Sequence, residues 1–215
     1  MAATNGYGRT RWGRFAAVLG LSAGATAGML MLISHGALAA SFTVSGQQFK
    51  VSADRLVATG FVQYGTVDAR VEPGSDPASQ VPEPVAVSAM RNATLTNLCQ
   101  SVVTDLGDFG ALTLKIRAGT GKVPVTATDM VVDMSQLDGN AEFEAIEIGR
   151  DAGTLDEGPT NDPAETAQRR PGFFSQQADR VTISGLKQVA WATSAGKFNL
   201  TNLSLRLEWG KDECF

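Results

Sequence analysis

The residues able to do chemistry in this chain rule out the common hydrolytic arrangements. Its one histidine, His35, falls in a long uncharged stretch near the N-terminus. The remainder therefore has no imidazole to take a proton from a serine or cysteine nucleophile, and no Gly-x-Ser-x-Gly string occurs. Two Ser-x-x-Lys strings, Ser184 to Lys187 and Ser194 to Lys197, sit in strand-like sequence, where residues three apart point to opposite faces. Gly119-Thr120-Gly121-Lys122 lacks the first glycine and the Ser/Thr of a phosphate loop, and is expected to close a hairpin. Asp108-Phe109-Gly110 stands without any other kinase element. Acids gather at Asp129, Asp133, Asp138, Glu142, Glu144 and Glu147, where they could hold calcium or act as an acid–base pair. They lack EF-hand spacing, and a wet strand face is the reading adopted for them. No catalytic residue, cofactor or metal ligand is assigned.

Cys99 and Cys214 are the two cysteines. Without histidine they cannot complete a structural zinc site. On the outer side of a membrane an even count favours a disulfide, against the alternative of two buried thiols. Such a bridge would tie the C-terminal strand to the middle of the chain.

The elements that would position these residues begin after an export segment. Arg9, Arg11 and Arg14 precede the stretch from Phe15 to Ala40, which holds no charged residue, and Ala37-Leu38-Ala39 matches the small-x-small cleavage pattern. As a helix the stretch would exceed a ~30 Å hydrocarbon core, so a cleaved signal peptide and a retained membrane anchor both remain open. Gly20, Gly24 and Gly28 share one helix face, the spacing that lets membrane helices approach closely; chance spacing in a Gly/Ala-rich segment is the simpler reading. Residues 1–40 are thus assigned to export or anchoring, and residues 41–215 to a single extracytoplasmic domain. Setting aside the three N-terminal arginines leaves 15 basic against 22 acidic residues, a net of −7. That sign opposes nucleic acid and anionic headgroups as partners.

Beyond residue 40 the pattern has period two. Leu112, Leu114, Ile116 and Ala118, then Met130, Val132 and Met134, then Leu203, Leu205, Leu207 and Trp209, each alternate with mostly polar neighbours. Each predicts a strand with one face buried and one wet. Asp138-Gly139 predicts a hairpin turn between Val131 and Phe143. Residues 70–84 and 150–176 read as loops, with Phe173-Phe174 anchoring the second to the core. A short string recurs: Ala58-Thr59-Gly60-Phe61, Leu95-Thr96-Asn97-Leu98, Ile183-Ser184-Gly185-Leu186 and Leu200-Thr201-Asn202-Leu203. The first and third lie in a longer match, Ala53–Gln63 with Ala178–Gln188. The apolar residues are three apart and a residue tolerant of positive φ precedes the second, the signature of a bulge or strand kink. The fold class is therefore mainly β, a twisted antiparallel sheet or β-sandwich preceded by one N-terminal apolar helix.

Several strings together, Gly36–Phe42, Val44–Ala53, Gly60–Gly65, Leu98-Cys99-Gln100-Ser101, Ala190-Trp191-Ala192-Thr193 and Glu213-Cys214-Phe215, resemble an actinobacterial family of exported proteins of unknown function. Its members often carry the automatic label "cholesterol esterase". The resemblance supplies no catalytic residues, and the missing histidine argues against the label. The expectation is an exported cell-envelope β domain that binds a lipid, another apolar ligand or a membrane partner. The alternative is an ester hydrolase with a non-standard catalytic set.

Overall fold

The computed structural model describes residues 43–72, 74–76, 79–159 and 169–215. Residues 41–215 cluster as one compact unit. The export segment with Gly20, Gly24 and Gly28 lies outside the described residues. Among those residues no helix is long and apolar enough to cross a membrane.

Four long strands dominate: β2 (Phe49–Val71), β3 (Gln80–Thr96), β6 (Val125–Glu144) and β8 (Phe174–Ser194). The short ones are β1 (Thr43–Ser45), β4 (Leu98–Asp105), β5 (Ala111–Ala118), β7 (Glu147–Asp151), β9 (Lys197–Asn199) and β10 (Ser204–Trp209). The expectation of a mainly β chain with an antiparallel sheet holds. Among the described residues only β1 pairs in parallel, along the end of β2. β2 pairs with β3, β3 with β6, β6 with β8, and β8 again with β2. The four long strands thus close into a ring over their central parts, where no edge is left between them and the pairing hazard of exposed strands is removed. β4 continues β3 past Asn97 and still pairs with the start of β2. β5 and β10 add to β4 in turn, so three strands project from the ring as a wing.

Strands this long must bend, and the recurring string is where they do. Gly60, Asn97, Gly185 and Asn202 all take the left-handed conformation, with φ of 62°, 53°, 64° and 56°. A left-handed residue slips the in/out phase by one, so apolar residues three apart face the same side. Ala58 with Phe61, Leu95 with Leu98, and Ile183 with Leu186 are all buried in one cluster. The structure adds a fifth copy, Ala127-Thr128-Asp129-Met130, with Asp129 at φ 49° and both apolar residues buried. Aspartate tolerates this conformation as asparagine does, so that copy was legible too. The two longer copies pair with each other: Val57 faces Thr182, and Ala53 faces Leu186 as Phe61 faces Ala178. Each end of one copy thus meets the opposite end of the other.

Two apolar clusters result. The larger, inside the ring, includes Leu56, Phe61, Met90, Leu95, Met130, Val181 and Leu186. The smaller gathers Val62, Tyr64, Val85, Val87, Ala89, Val131 and Ala152, with Leu155 and Trp191 against it. The segment after β7 covers it. The Gln177 side chain accepts from the Asp156 and Glu157 N–H groups at 3.1 and 3.3 Å and donates to Asp156 at 2.6 Å. Arg91 donates to the Gly158 carbonyl at 2.8 Å.

Several expectations need correction. Asp138-Gly139 makes no hairpin turn; it lies inside β6 at a register shift, Asp138 facing Lys187 and Asn140 facing Ser184. A side chain at Gly139 would come within 2.6 Å of Ile183, so glycine here serves close strand approach rather than reversal. Gly119–Lys122 joins β5 to β6, which are not neighbours in the sheet, so it closes no hairpin. The 70–84 loop shrinks, because Arg70, Val71 and Gln80–Pro84 are strand. Pro82 and Pro84 are tolerated there because β6 pairs with β3 only from Ala86 onward, leaving one side of this stretch without a ladder. The 150–176 loop likewise gives up its ends to β7 and β8. Phe173 and Phe174 are both exposed and do not anchor it. The anchor is backbone and carboxylate: Ala152 N–H donates to the Phe173 carbonyl at 2.9 Å, and Gly172 N–H to Asp151 at 2.6 Å.

Candidate functional site

The wing is built inside out. Cross-strand register puts three rows on one face: Gln100, Ile116 and Leu205; Val102, Leu114 and Leu207; Thr104, Leu112 and Trp209. None of these nine residues is charged. Alternation predicts that such a face is buried, yet Leu205, Leu207 and Trp209 are 56%, 62% and 75% exposed. Phe109, in the turn between β4 and β5 at the Trp209 end, is 82% exposed.

The middle of the polar face is covered instead. Thr113 is fully buried and Lys115 is 7% exposed. The C-terminal segment lies across them. Thr113 donates to the Gly210 carbonyl at 2.6 Å and accepts from Asp212 N–H at 3.1 Å, and Ser101 accepts from Cys214 N–H at 3.0 Å. Lys115 and Asp212 form an ion pair at 2.6 Å, and the Lys115 ammonium, together with a hydrogen bond between Asp212 and Glu208, holds the Asp212 carboxyl below the usual range. The sulfurs of Cys99 and Cys214 stand 2.03 Å apart, at disulfide distance. Lys50 binds Glu213 at 2.9 Å and the Phe215 carbonyl at 3.0 Å, while its ammonium and that of Lys187 both stack on the Phe215 ring. The tail thus covers the polar face around Ser101, Thr113 and Lys115, while Arg117 and Arg206 on its outer part stay exposed and the apolar face carries no such cover.

The wing meets the ring along a crease. Asn97 N–H donates to the Gly119 carbonyl at 3.1 Å, and Gly119 N–H to the Thr201 carbonyl at 2.7 Å. Left-handed residues at the adjoining ends of three neighbouring strands, Asn97 before β4, Gly119 after β5 and Asn202 before β10, therefore sit in a row. The ring interior keeps an apolar cavity of about 40 Å³, whose lining reaches β4 at Leu98 and Gln100. Pockets for small organic ligands measure roughly 300–1,000 Å³, well above this volume.

A second polar group was not foreseen. Asp133 is buried rather than part of a wet face, while Asp138, Glu142, Glu144 and Glu147 are exposed as expected. Asp68 is hydrogen-bonded to Asp133. Burial pushes the Asp68 carboxyl above its ordinary value, and the bond to Asp133 offsets this only in part. Nearby, Arg70 bonds Glu83 at 3.0 Å and stacks on Trp191. Asp68 stands between Thr66 and Arg70 in a stretch of β2 without sequence alternation, so nothing in the residue pattern pointed to it. Among the described residues no group of three or more metal-binding side chains assembles. For the Ser-x-x-Lys strings, the phase argument fails at Ser184. The kink at Gly185 puts Ser184 and Lys187 on the same outer face, but the Lys187 ammonium sits 5.7 Å from the Phe215 ring centroid.

No curated protein and no solved structure matches the chain. A family model described as "Family of unknown function (DUF6230)" matches residues 45–215, nearly all of the β domain including ring, wing and tail. The chain belongs to this family of unknown function.

Proposed function

We propose that this chain is an exported domain that binds the acyl region of a lipid bilayer through the open face of the wing. One observation carries the reading: an uncharged three-stranded face whose outer strand leaves Leu205, Leu207 and Trp209 more than half exposed, while Ser101, Thr113 and Lys115 on the opposite, polar face are buried. The face measures roughly 14 by 20 Å from strand spacing and rise, comparable to the largest apolar patches of soluble monomers, which are often functional. Trp209 and Phe109 at one end suit the membrane–water boundary, where aromatic rings concentrate. The apolar segment Phe15–Ala40, if retained as an anchor, would hold the domain beside such a surface. The net charge of −7 makes apolar burial, rather than attraction to anionic headgroups, the driving force.

Co-sedimentation of residues 41–215 with phosphatidylcholine vesicles tests this. Binding is expected, with little loss at about 0.5 M salt because screening does not weaken apolar burial. Leu205→Ser with Leu207→Ser should weaken it roughly tenfold or more, each exposed leucine contributing on the order of 1–2 kcal/mol when buried. The melting temperature should barely move, since both side chains already face solvent. No sedimentation of the wild type, or equal sedimentation of the variant, would sink the reading.

A further inference from the structure

We infer that two copies of this chain pair edge to edge through β10, antiparallel, with Leu207 opposite Leu207 of the second copy. Among the described residues the only strand partner of β10 is β5, so its other edge is open. No proline or bulge blunts this edge, and such strands are templates for pairing. Its hydrogen-bonding phase is fixed at one point: Gly210 N–H donates to the Ala111 carbonyl at 2.8 Å. Alternation then turns the backbone groups of Ser204, Arg206 and Glu208 toward β5, and those of Leu205, Leu207 and Trp209 outward.

A two-fold antiparallel pair must set outward-bonding residues opposite one another, which leaves four registers along β10. Centring on Arg206 opposes two arginines, and centring on Glu208 opposes two glutamates; like charges directly opposite destabilise a sheet. Centring on Leu205 overlaps only Ser204 to Arg206. Centring on Leu207 overlaps Leu205 through Trp209, sets Arg206 against Glu208 twice and Leu205 against Trp209 twice. The Arg206–Glu208 pairs fall at non-hydrogen-bonded positions, where side chains come closest. The strand Ser204-Leu205-Arg206-Leu207-Glu208-Trp209 is therefore complementary to itself in one register only.

The two-fold axis stands perpendicular to the joined sheet, so both apolar faces come to the same side and form one six-stranded surface. The pairing does not rest on the lipid reading, because it uses backbone groups and charges of the other face. Edge pairing buries less than the ~800 Å² per partner of a stable interface, so association is expected at tens to hundreds of micromolar, or between copies held in one membrane.

The test uses the full chain in mild detergent. Leu207→Cys should give a covalent dimer with a short bismaleimide, and Val123→Cys, exposed but off the edge, should not. In sedimentation equilibrium, Arg206→Glu should weaken self-association roughly tenfold, and Arg206→Glu with Glu208→Arg should return it to within about threefold of wild type, as a charge swap across a real pair does. A chain that stays monomeric to about 2 mM, above the range expected for so small an interface, would overturn the inference. Self-association indifferent to Arg206→Glu, or not restored by the double swap, would do the same, pointing to the apolar face or the N-terminal segment instead. Melting temperatures of the variants separate lost pairing from lost folding, and the cross-link needs no charge change.

Discussion

Asp68 sits where the smaller apolar cluster turns polar, hydrogen-bonded to Asp133 and shielded from water. Its carboxyl ionises less readily in the folded chain than in the unfolded one. A raised acid stabilises the fold fully below the unfolded pKa and loses that contribution as pH rises through the folded value. Asp68→Asn cannot ionise, so its stability relative to wild type should rise from about pH 4 to about pH 8. Paired thermal melts at the two ends check this; a constant difference would mean that Asp68 does not titrate as described. Gly185 isolates a different cost. It takes φ 64°, and nothing lies within 4 Å of where a Cβ would stand. Gly185→Ala therefore meets conformational strain alone, expected at roughly 1–2 kcal/mol, measurable by denaturant unfolding.

At the scale of elements, the wing shows how far alternation reaches. The period-two runs of β5 and β10 locate the strands and separate their two faces. They cannot say which face is covered, because that depends on the C-terminal tail crossing Thr113 and Lys115 rather than on the strands themselves. The recurring apolar–Thr/Ser–Gly/Asn/Asp–apolar string was more informative. It encodes a backbone conformation, which is a local property, so its positive-φ residue appears in all four copies read from the sequence and in the fifth at Asp129. Asp138-Gly139 was the converse: a dipeptide common in turns was recruited for close packing against Ile183.

For the whole molecule, the Cys99–Cys214 contact closes a loop across a sequence separation of 115. A disulfide there would stabilise the fold by about 4–5 kcal/mol in the chain-entropy model. Reductant should lower the melting temperature sharply. It should also loosen the tail, exposing Thr113 and Lys115 to faster hydrogen exchange before the ring itself opens, because the ring is held by its own closed ladder. If melting and exchange are both unchanged by reductant, the two sulfurs do not secure the tail.

The residues by themselves determined the class of backbone, the kink positions and the lack of an imidazole base beyond His35, since propensity, local conformation and composition are written residue by residue. Export and the fate of the first forty residues stay with the sequence as an expectation. Closure of β2, β3, β6 and β8 into a ring, burial of Asp133 beside Asp68, and exposure of Leu205, Leu207 and Trp209 were decided only by tertiary structure. Each depends on which distant segment arrives on a given face, and the spacing of residues along one strand carries no record of that.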